Sequence, residues 1–272
     1  MDPLICLDID GTITDDKYSV PKEICDYLKD LSKKGLTIFF ETGRDSSFAL
    51  RALSEMNFPY YLACQNGSVV LSMPEKKILT KTYMKRDILP FLEEAYKELN
   101  LDYLIYAGCE KGDFCYYRRD KFSDEYLQYL DDLQQRQEAL WENVKSFDGI
   151  EAFPLIKGFG PLKVMEIVKE DLSKHLSLRV SLNKDPFKKN FRLLLITDSQ
   201  ASKGNALLFL KEKLKKNHVI AAGDDNNDKT MIEQADYKIV INTAPERLKE
   251  KADKIALPPS ENGIIHALKE VL

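Results

Sequence analysis

Cysteine, histidine and tryptophan are scarce: five, three and one in 272 residues. The cysteines, Cys6, Cys25, Cys64, Cys109 and Cys115, are odd in number and scattered, with no CxxC pair and no Cys/His zinc spacing. This argues against a disulfide scaffold or a structural zinc site, and fits free thiols in a reducing compartment. Charge of one sign is also lacking. Forty basic against 44 acidic side chains leave a formal charge of −4, so there is no general basic field for nucleic acid and no polybasic membrane patch. No stretch approaches the roughly 20 apolar residues of a membrane span. The opening Met-Asp-Pro-Leu-Ile-Cys-Leu-Asp has an acidic residue where a signal peptide would be basic. The expectation is a soluble, cytoplasmic protein without a nucleic-acid or membrane partner; its oligomeric state has no signature.

An apolar fraction of 44% is ample for a core, and the length suits one large or two modest domains. The first third alternates strand and helix signals. Pro3–Leu7 is a nearly continuous apolar run, as expected of a parallel strand covered on both faces. Pro21 opens a helix with Ile24, Leu28 and Leu31 on one face and Gly35 where a C-terminal cap belongs. Leu36–Phe40 and Tyr60–Ala63 read as strands, and Ser46–Met56 as a helix. Between about Met84 and Thr197 strands come in adjacent pairs, which predicts an antiparallel α+β unit. There Asp87–Leu99 and Ser123–Val144 read as helices, and Tyr103–Ala107, Leu162–Val168 and Arg192–Thr197 as strands. From Ser202 the alternation of helix and strand returns. The expected architecture is an α/β core, residues 1–83 and 198–272, interrupted by an inserted α+β domain, residues 84–197.

Four sequence elements can carry chemistry. Asp8-Ile9-Asp10-Gly11-Thr12 follows the first strand. Its two carboxylates, two residues apart, project from one side of an extended backbone and would repel one another unless a cation sat between them. Glu41-Thr42-Gly43-Arg44 ends the second strand, where a hydroxyl and free N–H groups beside a glycine make a small anion cradle. Ser202-Lys203-Gly204 begins a helix. A lysine in that first turn opposes the helix dipole, which is explained if Lys203 points at an anion or at carboxylates. Gly223-Asp224-Asp225-Asn226-Asn227-Asp228 follows the strand His218–Ala222 and offers hard oxygen donors for a cation. It is not an EF-hand loop, because Lys229 and Ala235 stand where Gly and Glu are needed. Gly158-Phe159-Gly160 lacks a third glycine and the strand-then-helix context of a dinucleotide loop. Arg118 and Arg119 read as a solvated strand face, with substrate contact the less favoured reading.

In this order the elements resemble the haloacid dehalogenase superfamily of phosphohydrolases, in its Cof-type branch with an inserted α/β cap, over essentially the whole chain. Asn66-Gly67, Asn242-Thr243-Ala244, Ala252-Asp253 and Glu261-Asn262-Gly263 match secondary signatures. Glu41, Asp225-Asn226 and Asp198–Ala201 depart from the usual residues. The resemblance implies a Rossmann-like parallel-sheet core and a Mg2+-dependent phosphatase of a small phosphorylated metabolite, such as a sugar phosphate. It implies Asp8 as nucleophile, Asp10 as acid and base, and Lys203 as the catalytic cation. Ile9, Thr42, Gly43, Lys203 and Asn227 would bind the phosphoryl group. Asp8, Asp10 (through its carbonyl), Asp224 and Asp228 would surround Mg2+, with Asp228 in direct contact or one layer behind. A phosphomutase on the same core, or a non-catalytic phosphate-binding protein, are the rival readings.

Overall fold

Leu4–Asp8, every residue buried, forms the strand β1, which is covered on both faces as its unbroken apolar character requires. The computed structural model describes residues 3–15, 19–137, 140–185 and 187–272. The chain divides into two units, Met1–Lys81 with Ser202–Leu272, and Thr82–Ala201.

In the first unit β1 is followed by α1 (Lys22–Lys33), β2 (Thr37–Glu41), α2 (Ser46–Ala52), β3 (Tyr60–Cys64), β4 (Val69–Met73) and β5 (Lys77–Lys81). The helix α1 buries Ile24, Cys25, Leu28 and Leu31 on one stripe. It ends at Gly35, whose φ of +90° lets Leu36 N–H return to the Leu31 carbonyl at 3.1 Å.

The inserted unit runs β6 (Met84–Lys85), α3 (Leu89–Tyr96), β7 (Leu104–Tyr106), β8 (Cys115–Tyr117), α4 (Asp124–Gln137), β9 (Trp141–Asn143), β10 (Ala152–Phe153), β11 (Leu155–Pro161), α5 (Leu162–Leu172), β12 (Leu178–Lys184) and β13 (Phe191–Asp198). Its main sheet has the order β12-β13-β11-β7-β8-β9, antiparallel except for β8 beside β9. Three expectations are corrected here. Leu162–Val168 is the start of α5, not a strand: Met165, Val168 and Leu172 are the buried positions, at helical spacing, and Pro161 precedes the first turn. Ser123–Val144 is not one helix, since α4 ends by Gln137 and Trp141–Asn143 pairs with β8; residues 138–139 of that span lie outside the described ones. Gly158 and Gly160 do lie in a strand followed by a helix. Their role is packing: a Cβ on Gly158 would stand 2.1 Å from the Tyr96 hydroxyl, and one on Gly160 would stand 3.3 Å from Leu101.

Arg118 is not on a solvated face either. It is buried, donates to both oxygens of Asp102 at 2.7 and 2.8 Å and to Glu93 at 2.7 Å, and lies 4.3 Å from the Phe147 ring centroid. Arg119 pairs with Asp131 at 2.7 Å.

The first unit then resumes with α6 (Lys203–Lys213), β14 (Val219–Gly223), α7 (Lys229–Gln234), β15 (Tyr237–Ile241), α8 (Glu246–Lys249), β16 (Lys254–Ala256) and α9 (Gly263–Val271). Its sheet order is β16-β15-β14-β1-β2-β3-β4-β5. From β16 to β3 all neighbours are parallel, and β4 and β5 are antiparallel additions. The chain leaves β1 toward β2 on one side and returns to its other side through β14. That reversal opens a crevice at the carboxyl ends of β1 and β14, where ligands bind in open α/β sheets.

Candidate active site

The crevice is floored by charge. Asp8 is the last residue of β1, and the Asp224–Asp228 turn directly follows β14. Lys203, the first residue of α6, is completely buried and donates to Asp8 Oδ1 and to Asp228 Oδ1. Ser202 caps this helix by accepting from Asn205 N–H at 3.1 Å, so the lysine springs from a fixed turn. Burial opposes the charge on Lys203, but Asp228 and Asp8 more than offset this and hold its pKa well above the usual lysine value.

The acidic turn after β14 divides its residues among separate tasks. Asp228, also fully buried, uses its second oxygen to accept from the Asp224 and Asp225 N–H groups at 2.9 and 3.0 Å. Asp225 caps the turn through the Asn226 N–H at 2.7 Å, and Asn226 accepts from Arg247 Nε at 3.0 Å. Asp224 is left facing Asp8. Among the described residues, Asp8, Asp224 and Asp228 each offer a carboxylate oxygen within 4.8 Å of the others. Thr12 donates its hydroxyl to Asp224 Oδ1 at 3.3 Å. Gly11, at φ +80°, lies so close that a Cβ there would meet Asp224 Oδ2 at 2.2 Å, so the turn after Asp10 needs glycine for both conformation and space.

Burial, and then the Asp228 charge, push the Asp8 carboxyl well up from its ordinary value, with Lys203 pulling it back. Asp224 is pushed up to about 7 by the same two causes in the same order. Crowded, partly dehydrated carboxylates with one ammonium among them are a donor set for a hard divalent cation such as Mg2+. Asp8 and Asp224 would hold it. Asp228 has both oxygens engaged by Lys203 and backbone N–H groups, which makes it the anchor of the lysine and of the turn.

The Asp10 carboxylate is not in this cluster. Arg44 grips it with a fork, Nε to Oδ2 at 2.8 Å and Nη2 to Oδ1 at 2.5 Å. The arginine side chain is buried, with its guanidinium 4.2 Å from the Phe48 ring centroid. In sequence Arg44 is only the end of Thr-Gly-Arg, and a spacing of 34 residues gives no sign of this pairing. Ile9, fully buried, anchors the loop by accepting from the Ile13 and Thr14 N–H groups at 3.1 and 3.2 Å.

Thr42 is buried just past β2, and its Oγ1 accepts from the Arg44 N–H at 3.1 Å, which leaves the hydroxyl proton to donate elsewhere. Gly43 is beside the turn that follows β3: a Cβ on it would be 3.3 Å from Asn66 Oδ1 and 3.8 Å from Asn227 Nδ2. Thus Thr42, Gly43 and Asn227 are brought to one rim. Glu41, the unusual residue before them, is fully buried and accepts from the Cys6 thiol at 3.4 Å. Burial pushes its carboxyl well up, against the pull of Lys203.

Known proteins are similar to this chain along nearly their full length. Residues 5–268 match the haloacid dehalogenase-like hydrolase family. A phosphoglycolate phosphatase of Archaeoglobus fulgidus is 27% identical over 269 residues, spanning 97% of this chain and 95% of that protein. Phosphatase YwpJ of Bacillus subtilis is 26% identical, spanning 99% of each. In structure, a haloacid dehalogenase-like hydrolase from Bacteroides thetaiotaomicron aligns with a TM-score of 0.81 at 22% identity over 99% of each chain. The HAD subclass IIB sugar phosphatase BT4131 aligns at 0.74 and 17% over 99% of this chain and 98% of that one. The two structural likenesses bear on the fold.

Proposed function

Because the chain belongs to the haloacid dehalogenase-like hydrolase family, and so is a phosphomonoester hydrolase, we propose that it is a Mg2+-dependent phosphatase of a small phosphorylated metabolite working through an aspartyl-phosphate. The observation that carries the finer reading is Asp8 at the end of the central strand, with one oxygen on Lys203 and Asp224 facing it. Phosphoryl transfer needs positioning and charge neutralisation more than covalent ingenuity, and this cluster is arranged for both.

In the first step an oxygen of Asp8, the one Lys203 does not hold, attacks phosphorus in line. The bond from phosphorus to the ester oxygen breaks, and Asp10 gives that oxygen a proton. In the second step Asp10 takes a proton from water, the water oxygen attacks phosphorus, the Asp8–phosphorus bond breaks, and inorganic phosphate leaves. Arg44 holds Asp10 by both oxygens here, so for the first transfer the oxygen that carries the proton must turn out of this fork toward the ester oxygen. Thr42, backbone groups at Ile9 and Gly43, and Asn227 would bind phosphoryl oxygens, and Lys203 would offset the charge of Asp8 and phosphate together. Bound at Asp8, Asp224 and the Asp10 carbonyl, Mg2+ would neutralise charge that develops on the transferred group. Asp228 serves by fixing Lys203 and the Asp224 turn.

We take the substrate to be a sugar phosphate or a similarly small ester, supported by the phosphoglycolate phosphatase of Archaeoglobus fulgidus, whose substrate is a small phosphate ester. The inserted unit, placed in sequence between the second and third motifs, is our choice for the part that sets discrimination among such esters. The test is phosphate release from p-nitrophenyl phosphate and from a panel of metabolite phosphates. Chelator should abolish turnover and Mg2+ restore it; full activity in excess chelator would sink the reading. An isomeric phosphate product in place of inorganic phosphate would favour a mutase instead.

A further inference from the structure

We propose that Asn66, to which the sequence assigns no role, is a positioning residue that sets the Asn227 amide for the phosphoryl group. This deepens the phosphatase reading and rests on it. After β3 the chain makes a tight turn over Gln65–Gly67, with φ of +51°, +56° and +89°. Two consecutive residues other than glycine in the left-handed region carry a conformational cost, and asparagine is among the side chains that bear it best. Such a turn persists because its surroundings hold it.

Three hydrogen bonds and one close approach do so. Gln65 N–H donates to the Arg44 carbonyl at 2.7 Å, and Asn66 N–H to the Thr42 carbonyl at 2.9 Å. The Asn227 side-chain Nδ2 donates to Asn66 Oδ1 at 3.1 Å, across 161 residues of sequence. A Cβ on Gly67 would lie 2.4 Å from the Ser202 carbonyl oxygen, so the turn also rests against the residue that caps the helix of Lys203. One turn therefore meets the loop of Thr42, the helix start of Lys203 and the turn of Asn227. The Asn227 amide has two N–H donors. With one of them on Asn66, rotation of the amide is fixed, and its second N–H has a set direction at the rim beside Gly43. Without Asn66, that orientation would have to be found anew each time phosphate binds.

The test uses the whole protein with Mg2+ and p-nitrophenyl phosphate, with inorganic phosphate as competitive inhibitor. Asn66→Gly keeps the left-handed backbone and removes only the amide. KM and the inhibition constant of phosphate should each rise about 3–10-fold, the range of one neutral hydrogen bond. kcat should change less, and Tm should stay within about 2 °C of wild type. Asn227→Ala should weaken phosphate binding similarly, and the double variant should be no worse than Asn227→Ala alone, because the two side chains act as one unit. Wild-type constants in Asn66→Gly or multiplying effects in the double variant would each overturn the proposal while active wild type leaves the phosphatase reading standing. A wild type that neither hydrolyses the ester nor binds phosphate would overturn both.

Discussion

The inserted unit buries Arg118 against carboxylates and the first unit buries Lys203, and the two environments differ in their balance. Arg118, in the inserted unit, has a planar fork that matches Asp102 with two bonds, a third bond to the half-exposed Glu93, and the Phe147 ring against its face. Three of its N–H groups are placed on two carboxylates. Lys203, in the first unit, is a compact ammonium with Asp8 and Asp228 directly on it and Asp224 in the same cluster. One ammonium faces three carboxyl groups. The satisfied fork is a structural pin. The unbalanced cluster has a deficit of positive charge, which a divalent cation and an in-line phosphoryl transfer both address.

The comparison can be broken at its strongest point by Asp8→Asn. This keeps an acceptor for Lys203 and removes the attacking charge. Turnover should fall by about 10³-fold or more. Tm in chelator should stay level or rise, because one of the crowded charges is gone. A variant that hydrolyses esters at near wild-type rate would end the nucleophile assignment.

The second break is at the pin. Arg118→Met leaves Asp102 buried without its cation and should cost about 3–5 kcal/mol of stability, read by denaturant unfolding. Adding Asp102→Asn should recover part of that loss. If the single variant is as stable as wild type, the pin is not one. The smallest effect concerns packing in the same unit. Gly158→Ala would drive a Cβ into the Tyr96 hydroxyl and should cost about 1–3 kcal/mol, with Mg2+-dependent turnover of the folded protein unchanged.

Residues that depend on one strand and the turn after it could be read from the sequence. The apolar run before Asp8, the Pro21 start and Gly35 end of α1, and the order of the four motifs are all local patterns. The Leu162–Val168 segment reads as a strand because β-branched and apolar residues crowd it, yet it is helical. Leu162 and Ile167 are exposed, while the buried Met165 and Val168 follow helical spacing. The Ser123–Val144 span hid a three-residue strand whose pairing with β8 no local pattern announces. In the site, sequence identified the charges but not their lateral partners. Arg44 on Asp10, Asn66 on Asn227 and Cys6 on Glu41 are pairings across 34, 161 and 35 residues. Only the sheet order makes them neighbours.

The deficit of positive charge around Lys203 is tested most directly by melting wild type and Asp224→Asn in chelator and in Mg2+ across pH 4 to 7. Asp224 has a folded pKa of about 7 against an ordinary 3.8. The metal-free folded state therefore keeps a proton that the unfolded chain has released over that window. The stabilisation from that proton is complete below about pH 4 and is lost as pH rises toward 7. Wild type in chelator should fall further in Tm across this range than Asp224→Asn, so that near pH 7 the variant is at least as stable. Mg2+ should then raise the Tm of wild type and have little effect on the variant, whose turnover drops by orders of magnitude. A variant less stable than wild type in chelator at pH 7, together with a wild type that Mg2+ does not stabilise, would contradict the account.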